Sequence, residues 1–323
     1  MSTINRCLFV IAFAALALVG CAASGGTKTT HPLLGSGRGI DHATVLTRDL
    51  ARTSSIYTNS LGFTVTPYSK YENGFENAVV YFADTDKTYL ELWGVHDPVV
   101  AAKSEIASVL AEPDGLMWLN LHVSSTDATA AYLRARGHEL FGPDNIGEDP
   151  WFFRLTGLER STIPGRRIYF IEYNEAYLAS RPKNPEKNRL RETHANTAED
   201  LRSAWIAVKD IDAAVAAYQG IGFRVRRGVD LPHLKAKAQE LEAGGGTILL
   251  VHSEVADSPV SAFLGARSDR MMGASIKVAN LATAQSFLTG NAELSLPVYP
   301  GIYGRSILVP AEHAGGAWLE FFE

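Results

Sequence analysis

The chain has 323 residues, 46% of them hydrophobic and 20% charged, and a formal net charge of −5. That length and balance fit two ordinary globular domains. A mildly acidic chain without a basic stripe gives no reason to expect nucleic acid as a partner. Its two cysteines, Cys7 and Cys21, both lie near the start, so the body of the chain offers neither a disulfide framework nor a cysteine zinc site.

The first elements read as an export signal. Arg6 supplies a positive start, and Leu8 to Val19 is an uncharged apolar run. It is shorter than the roughly 20 residues that a spanning helix needs, and small residues follow it, as at a signal-peptide cleavage point. Leu18-Val19-Gly20-Cys21 resembles the lipobox of bacterial lipoproteins. That resemblance implies removal of residues 1–20, acylation of Cys21 and a lipid anchor in the cell envelope. Ala22 in place of Asp after the cysteine points to the outer membrane, facing the periplasm. Residues 21–38, rich in Gly, Ser and Thr, read as a flexible tether.

From Gly39 onward one unit recurs: strand, helix, three strands. Gly39 to Thr47 alternates, with His42, Thr44 and Leu46 on one face and Asp41, Ala43 and Val45 on the other. Asp49 caps a helix to about Leu61, Gly62 stops it, and Phe63-Thr64-Val65 begins the next strand. Strands at Asn77 to Phe82 and Thr88 to Trp93 complete the unit. Val99 to Glu112 reads as an added amphipathic helix with Val99, Ile106 and Leu110 facing inward. A second unit starts near Leu116 with Ser125 at its cap, and Arg181 to Asp200 is polar enough to serve as a linker between halves. The third unit runs from Ile206 and Asp210 into Gly222-Phe223-Arg224-Val225, and the fourth starts near Gly273 with Asn280 as its cap. The last strands are Tyr89-Leu90-Glu91-Leu92-Trp93, Tyr169-Phe170-Ile171-Glu172-Tyr173, Ile248-Leu249-Leu250-Val251-His252 and Trp318-Leu319-Glu320-Phe321-Phe322.

Gly39-Ile40-Asp41-His42, Leu61-Gly62-Phe63, Asn77, Tyr89-Leu90-Glu91-Leu92 and Phe170-Ile171-Glu172-Tyr173 together resemble the vicinal-oxygen-chelate superfamily, in its glyoxalase-like branch. The resemblance implies an α+β fold of four βαβββ modules paired into two cups. It places the first domain at 39–180, a linker at 181–200 and a second, degenerate domain at 201–323. It also implies metal ligands on the first and last strands of each module: His42, Glu91 and Glu172, a set that suits Fe²⁺, Mn²⁺, Ni²⁺ or Zn²⁺. Such an ion would act on the vicinal oxygens of a small organic molecule in a lyase, isomerase or dioxygenase reaction. The other reading is a metal-free binding protein like the bleomycin-resistance relatives.

The fourth ligand position departs from this pattern. His42 lies seven residues before Asp49, and seven before Ser125 stands Trp118. His122 is four residues further along the strand, about 13 Å away. Trp118, Asn120, His122, Trp151 and Phe153 are expected to line a pocket, with the aromatic rings able to stack on a planar ligand. Arg154, Arg166 or Arg167 could instead pair with Glu91 or Glu172. The matching positions of the second half are Ser203, Gly273 and Glu320, too few donors for a metal. His96, His138, His194, His233, His252 and His313 fall at element ends or in loops, where solvent is the expected surrounding.

Overall fold

A computed structural model describes residues 31–323, apart from 85–86, 105, 159–162, 166, 266 and 293–294. The signal segment, Cys21 and Arg166 lie outside the described residues. The four repeats form as expected. The first holds β1 (Gly39–Leu46), α1 (Leu50–Ser55), β2 (Ser69–Lys70), β3 (Phe75–Tyr81) and β4 (Tyr89–Val95). After α2 (Pro98–Ala101), the second holds β5 (Gly115–His122), α3 (Thr126–Arg134), β6 (Leu140–Ile146), β7 (Phe153–Leu158) and β8 (Ile168–Tyr173). Two helices, α4 (Glu175–Ser180) and α5 (Pro185–Arg191), lead to the third repeat: β9 (Ala198–Ala207), α6 (Ile211–Gly220), β10 (Val225–Leu231), β11 (Ala236–Ala243) and β12 (Gly246–His252). The fourth follows α7 (Pro259–Leu264), with β13 (Arg270–Val278), α8 (Leu281–Ala292), β14 (Tyr299–Gly301), β15 (Gly304–Val309) and β16 (Trp318–Phe322).

The caps do what their chemistry dictates: Asp49, Ser125, Asp210 and Asn280 each accept a backbone N–H three residues on, satisfying an otherwise orphaned donor. Repeats one and two share one eight-stranded sheet, in the order β2-β3-β4-β1-β5-β8-β7-β6. Repeats three and four form the other, in the order β10-β11-β12-β9-β13-β16-β15-β14. One apolar cluster takes in the helix-bearing faces of both sheets, with Leu50, Leu133, Tyr218 and Leu288 from the helices. Separate clusters line the two opposite, concave faces. The cups therefore stand back to back across a common core. The backbones nearly touch where Gly39 bridges Gly244: a Cβ on Gly39, at φ +94°, would sit 1.7 Å from the Ala243 carbonyl oxygen. Only glycine fits there.

Four local expectations need correction. Residues 31–38 are packed rather than a tether: Leu33 and Leu34 are each 1% exposed, and the Thr129 hydroxyl donates to the Leu33 carbonyl. The apolar pair supplies burial that the surrounding Gly and Ser conceal. Phe63-Thr64-Val65 joins no ladder, and the ladder of β2 is two residues long. The segment after β4 is α2 plus a 3₁₀ turn at Ala107–Ala111, not one helix; Val99 is 66% exposed, while Ala101 and Val109 are buried beneath it. Residues 181–200 carry α5 and the start of β9, and bury Arg191, His194 and Asn196. Asn196 donates to the Leu61 carbonyl and His194 is wedged against β3, so the connection is a packed strap from Arg191 onward, while 182–190 is largely solvated as expected.

Candidate functional site

Strand pairing decides which residues meet in the first cup. In the antiparallel pair β1–β5, His42 lies opposite Asn120 and Thr44 opposite Trp118. This reciprocal register makes Trp118 the counterpart of His42, as the spacing from the caps predicts, and Asn120 the counterpart of Thr44. In the parallel pair β1–β4, Thr44 lies opposite Glu91; in β5–β8, Asn120 lies opposite Tyr169. The counterpart of Glu91 is therefore Tyr169 and not Glu172. Four inward positions, two per repeat, hold His42, Glu91, Trp118 and Tyr169.

Glu172 points the other way. Its carboxylate accepts the Thr126 backbone N–H (2.7 Å) and the Thr126 hydroxyl (2.8 Å) at the start of α3, with Arg154 4.0 Å away. Successive side chains of a strand face opposite sides, and Glu172 shares its side with Phe170 in the common core, opposite Ile171 and Tyr173. It is a helix N-terminal acceptor, placed where a negative charge is favourable. Glu172→Ala is expected to destabilise the fold by about 1 kcal/mol, read by urea denaturation, and to leave ligand binding in the cup unchanged.

His42 and Glu91 do come together. Glu91 accepts from the Thr44 hydroxyl (3.0 Å) and the Asn77 amide (2.7 Å), and its Oε2 lies 3.9 Å from Nε2 of His42. That gap exceeds a hydrogen bond. The His42 ring stacks on Tyr89, with centroids 4.2 Å apart and planes 14° apart. Its Nδ1 donates to Oδ1 of Asp41 at 2.6 Å. Simple alternation puts Asp41 on the opposite face from His42; a bulge between Ile40 and His42 overrides that and brings the two neighbours into contact. Asp41 is fully buried and also accepts from Arg38 Nη2 (2.8 Å) and from the Tyr173 hydroxyl (3.0 Å). Burial alone would raise its pKa; the His42 hydrogen bond and the charges of His42 and Arg38 outweigh that and hold it at about 2. The sequence reading passed over Asp41, since a bulge leaves no mark in the residue pattern.

The pocket candidates separate. Trp118 lies edge-on to Trp93 at 4.8 Å, and its buried Nε1–H has no acceptor among the described residues. The Tyr71 hydroxyl, in the same apolar cluster and electrostatically close to Glu91, is likewise buried and unsatisfied. Asn120 is buried between His42 and Tyr169 on neighbouring strands. His122 Nδ1 accepts the Arg38 backbone N–H (2.9 Å) and its ring stacks on Tyr173, so it pins the packed N-terminal segment to the rim. Burial and the Arg38 charge lower its pKa to about 4. Phe153 sits with Ile171 and Tyr173 on the far wall, under Tyr177 and Leu178. Trp151 is half-buried outside that cluster, and its backbone carbonyl accepts from Asn174. Arg154 forms a two-point pair with Asp127, and Arg167 reaches over Trp118 to Ser108, so neither meets Glu91.

These donors do not fit the expected metal set. With Glu172 turned outward, two protein ligands remain where catalytic sites supply three. Among the described residues no three His, Cys, Asp or Glu side chains converge as a metal site. In the second cup the same register selects Ser203, Leu249, Gly273 and Glu320. Burial raises the Glu320 pKa, and the Ser275 and Tyr299 hydroxyls donate to its carboxylate. Trp205, Ile302 and Tyr303 belong to the apolar cluster of that face. Ile302 and Tyr303, with Arg227 and Phe322, also line a cavity of about 790 Å³, so that half is not packed throughout.

Comparison with known proteins agrees with this fold. The sequence matches the glyoxalase-like domain family over residues 40–235. No curated protein matches it. Among solved structures, a hypothetical protein from Staphylococcus aureus is similar at a TM-score of 0.54 and 14% identity, covering 88% of this chain and 98% of that one. A mutant of 4-hydroxymandelate synthase from Streptomyces coelicolor gives 0.62 and 12%, covering 88% and 92%. A fusion of a xylose isomerase-like TIM barrel with 4-hydroxyphenylpyruvate dioxygenase gives 0.60 and 11%, covering 93% and 50%. At these identities the likeness is one of fold.

Proposed function

The chain belongs to the glyoxalase-like domain family, and from that premise we propose that its first cup is a metal-independent binding site for a small, partly aromatic, uncharged molecule. The observation that supports this is the pair of aromatic residues, Trp118 and Tyr169, at the two positions where the second repeat would supply metal ligands. Trp118 and Tyr89 supply aromatic surface, and Glu91, His42 and Asn120 supply polar groups, at neighbouring positions of β1, β4 and β5. A cup that holds the Glu91 carboxylate repels an anionic ligand. The divalent-metal reading of the same cup keeps His42 and Glu91 but lacks a third ligand, since Glu172 caps α3. In the experiment, neutral aromatic fragments are screened by ligand-observed NMR with and without EDTA. Equal binding in both conditions, weakened by Trp118→Ala, is the expected result; binding that appears only after a divalent ion is added contradicts the proposal.

We further propose that the protein works at the bacterial cell envelope on a lipid carried by Cys21. The Leu18-Val19-Gly20-Cys21 sequence after an uncharged apolar run supports it. Among the described residues no helix is long and apolar enough to cross a membrane. Cys21→Ala is expected to abolish membrane fractionation of the mature protein. A wild type that fractionates as soluble, with no acyl mass on Cys21, contradicts the anchor.

A further inference from the structure

We propose that the cavity beside the second cup binds a small zwitterion with an aromatic or apolar side chain, the chemistry of a free amino acid or a dipeptide. The site is separate from the first cup and independent of the reading given for it. Its volume of about 790 Å³ lies where the connection between β3 and β4 meets the second sheet. That size is usual for small-molecule sites, which favour such junctions. Register builds one wall: Asp200, Lys277 and Phe322 stand side by side on β9, β13 and β16. The tip of the β14–β15 hairpin adds Ile302 and Tyr303, and the Tyr303 ring packs on Phe322 at 4.9 Å. Glu240, fully buried behind them, accepts from Arg227 Nε (2.7 Å) and from the Tyr303 hydroxyl (3.1 Å). Arg227 Nη2 also donates to the Ile302 carbonyl (3.0 Å), which fixes this cation to the hairpin tip.

The lining charges balance. Three carboxylates, Asp84, Glu199 and Asp200, face three cations, Arg202, Arg227 and Lys277. The Thr88 hydroxyl donates to Asp84 (2.7 Å) and lies 3.5 Å from Asp200, and the Asp84 N–H donates to the Glu199 carbonyl (3.1 Å), so the acids are gathered together. Lys277 pairs with Glu199 at 3.1 Å and Arg202 stands 4.0 Å from Asp200, but among the described residues no cation pairs with Asp84. Each guanidinium carries five N–H donors, more than Arg202 gives to Gly245 or Arg227 gives to Glu240 and Ile302. A net anion would meet the gathered acids, and a net cation the guanidinium groups. An apolar molecule would strip water from these charges and return no partner. A zwitterion brings an ammonium to Asp84 and a carboxylate to the arginines, while Ile302, Tyr303 and Phe322 take its side chain.

Isothermal titration calorimetry of the full-length protein with L-phenylalanine and with L-alanyl-L-phenylalanine tests this. Binding is expected, and the tighter of the two probes tells a free amino acid from a dipeptide as the better fit. Blocking one charge of that probe, by N-acetylation or by C-terminal amidation, is expected to weaken binding at least about tenfold, the cost of a lost charge-assisted contact. Asp84→Asn and Arg202→Gln are each expected to weaken binding of the unblocked probe to a similar extent. Circular dichroism checks that each variant folds, and Lys277→Gln, at an exposed position, takes the place of either that does not. Absence of binding by both probes at millimolar concentration overturns the site. So does equal binding of the blocked and unblocked forms, or binding that none of these substitutions weakens.

Discussion

Phe63→Ala is expected to destabilise the whole chain by about 3–5 kcal/mol, the range for deleting a buried aromatic ring. Phe63 is 2% exposed and sits where the two halves meet. Its ring packs against Tyr57 at 5.7 Å, Phe82 at 6.2 Å, His194 at 5.7 Å and, from the last strand of the chain, Phe321 at 5.8 Å. One side chain therefore ties the first repeat, the strap and the fourth repeat together. Because the core is shared, the loss should appear as a lower midpoint of one cooperative transition. Urea unfolding followed by both tryptophan fluorescence and circular dichroism checks this. Two separated transitions, with only the first shifted, would show that the cups fold independently.

The second large effect is acid lability centred on His194. Its Nδ1 accepts the Thr64 N–H (3.0 Å) and its Nε2–H donates to the Tyr81 carbonyl (2.8 Å), so the neutral ring satisfies both backbone groups. Burial pushes its pKa down, against the opposing pull of the Tyr81 carbonyl, from 6.5 to about 4. A folded value below the unfolded one means that the contribution is complete above about pH 6.5 and is lost as pH falls toward 4. Protonating Nδ1 also breaks the Thr64 bond. That lowering corresponds to about 3 kcal/mol. Urea midpoints at pH 7.5, 5.5 and 4.5 should fall steeply in the wild type and less in His194→Gln. Equal slopes in the two proteins would assign the acid sensitivity elsewhere.

The architecture was legible because its signals are local. Asp49, Ser125, Asp210 and Asn280 each stand before an apolar helix and after an alternating strand, and each caps that helix. Glu91 was legible through its place in the repeat, and Glu320, its counterpart, follows the same register. Glu172 was misplaced because β8 is covered on both faces and Tyr-Phe-Ile-Glu-Tyr has no polar alternation to reveal parity. Which side it faces is set by pairing with β5, a long-range fact. Asp41 was read onto the wrong face for a related reason: a bulge is a property of two strands together. His194 was assigned to solvent from a polar stretch, yet two backbone groups more than 100 residues away in sequence hold it.

The account stands on the claim that the first cup works without a metal ion. Elemental analysis of the gently purified full-length protein, repeated after incubation with Fe²⁺, Mn²⁺, Ni²⁺ and Zn²⁺ and desalting, tests it most directly. The account predicts metal well below one ion per chain throughout, unchanged by His42→Ala or Glu91→Gln. Stoichiometric metal in the wild type, lost in both variants, would contradict it and return His42 and Glu91 to the role of ligands.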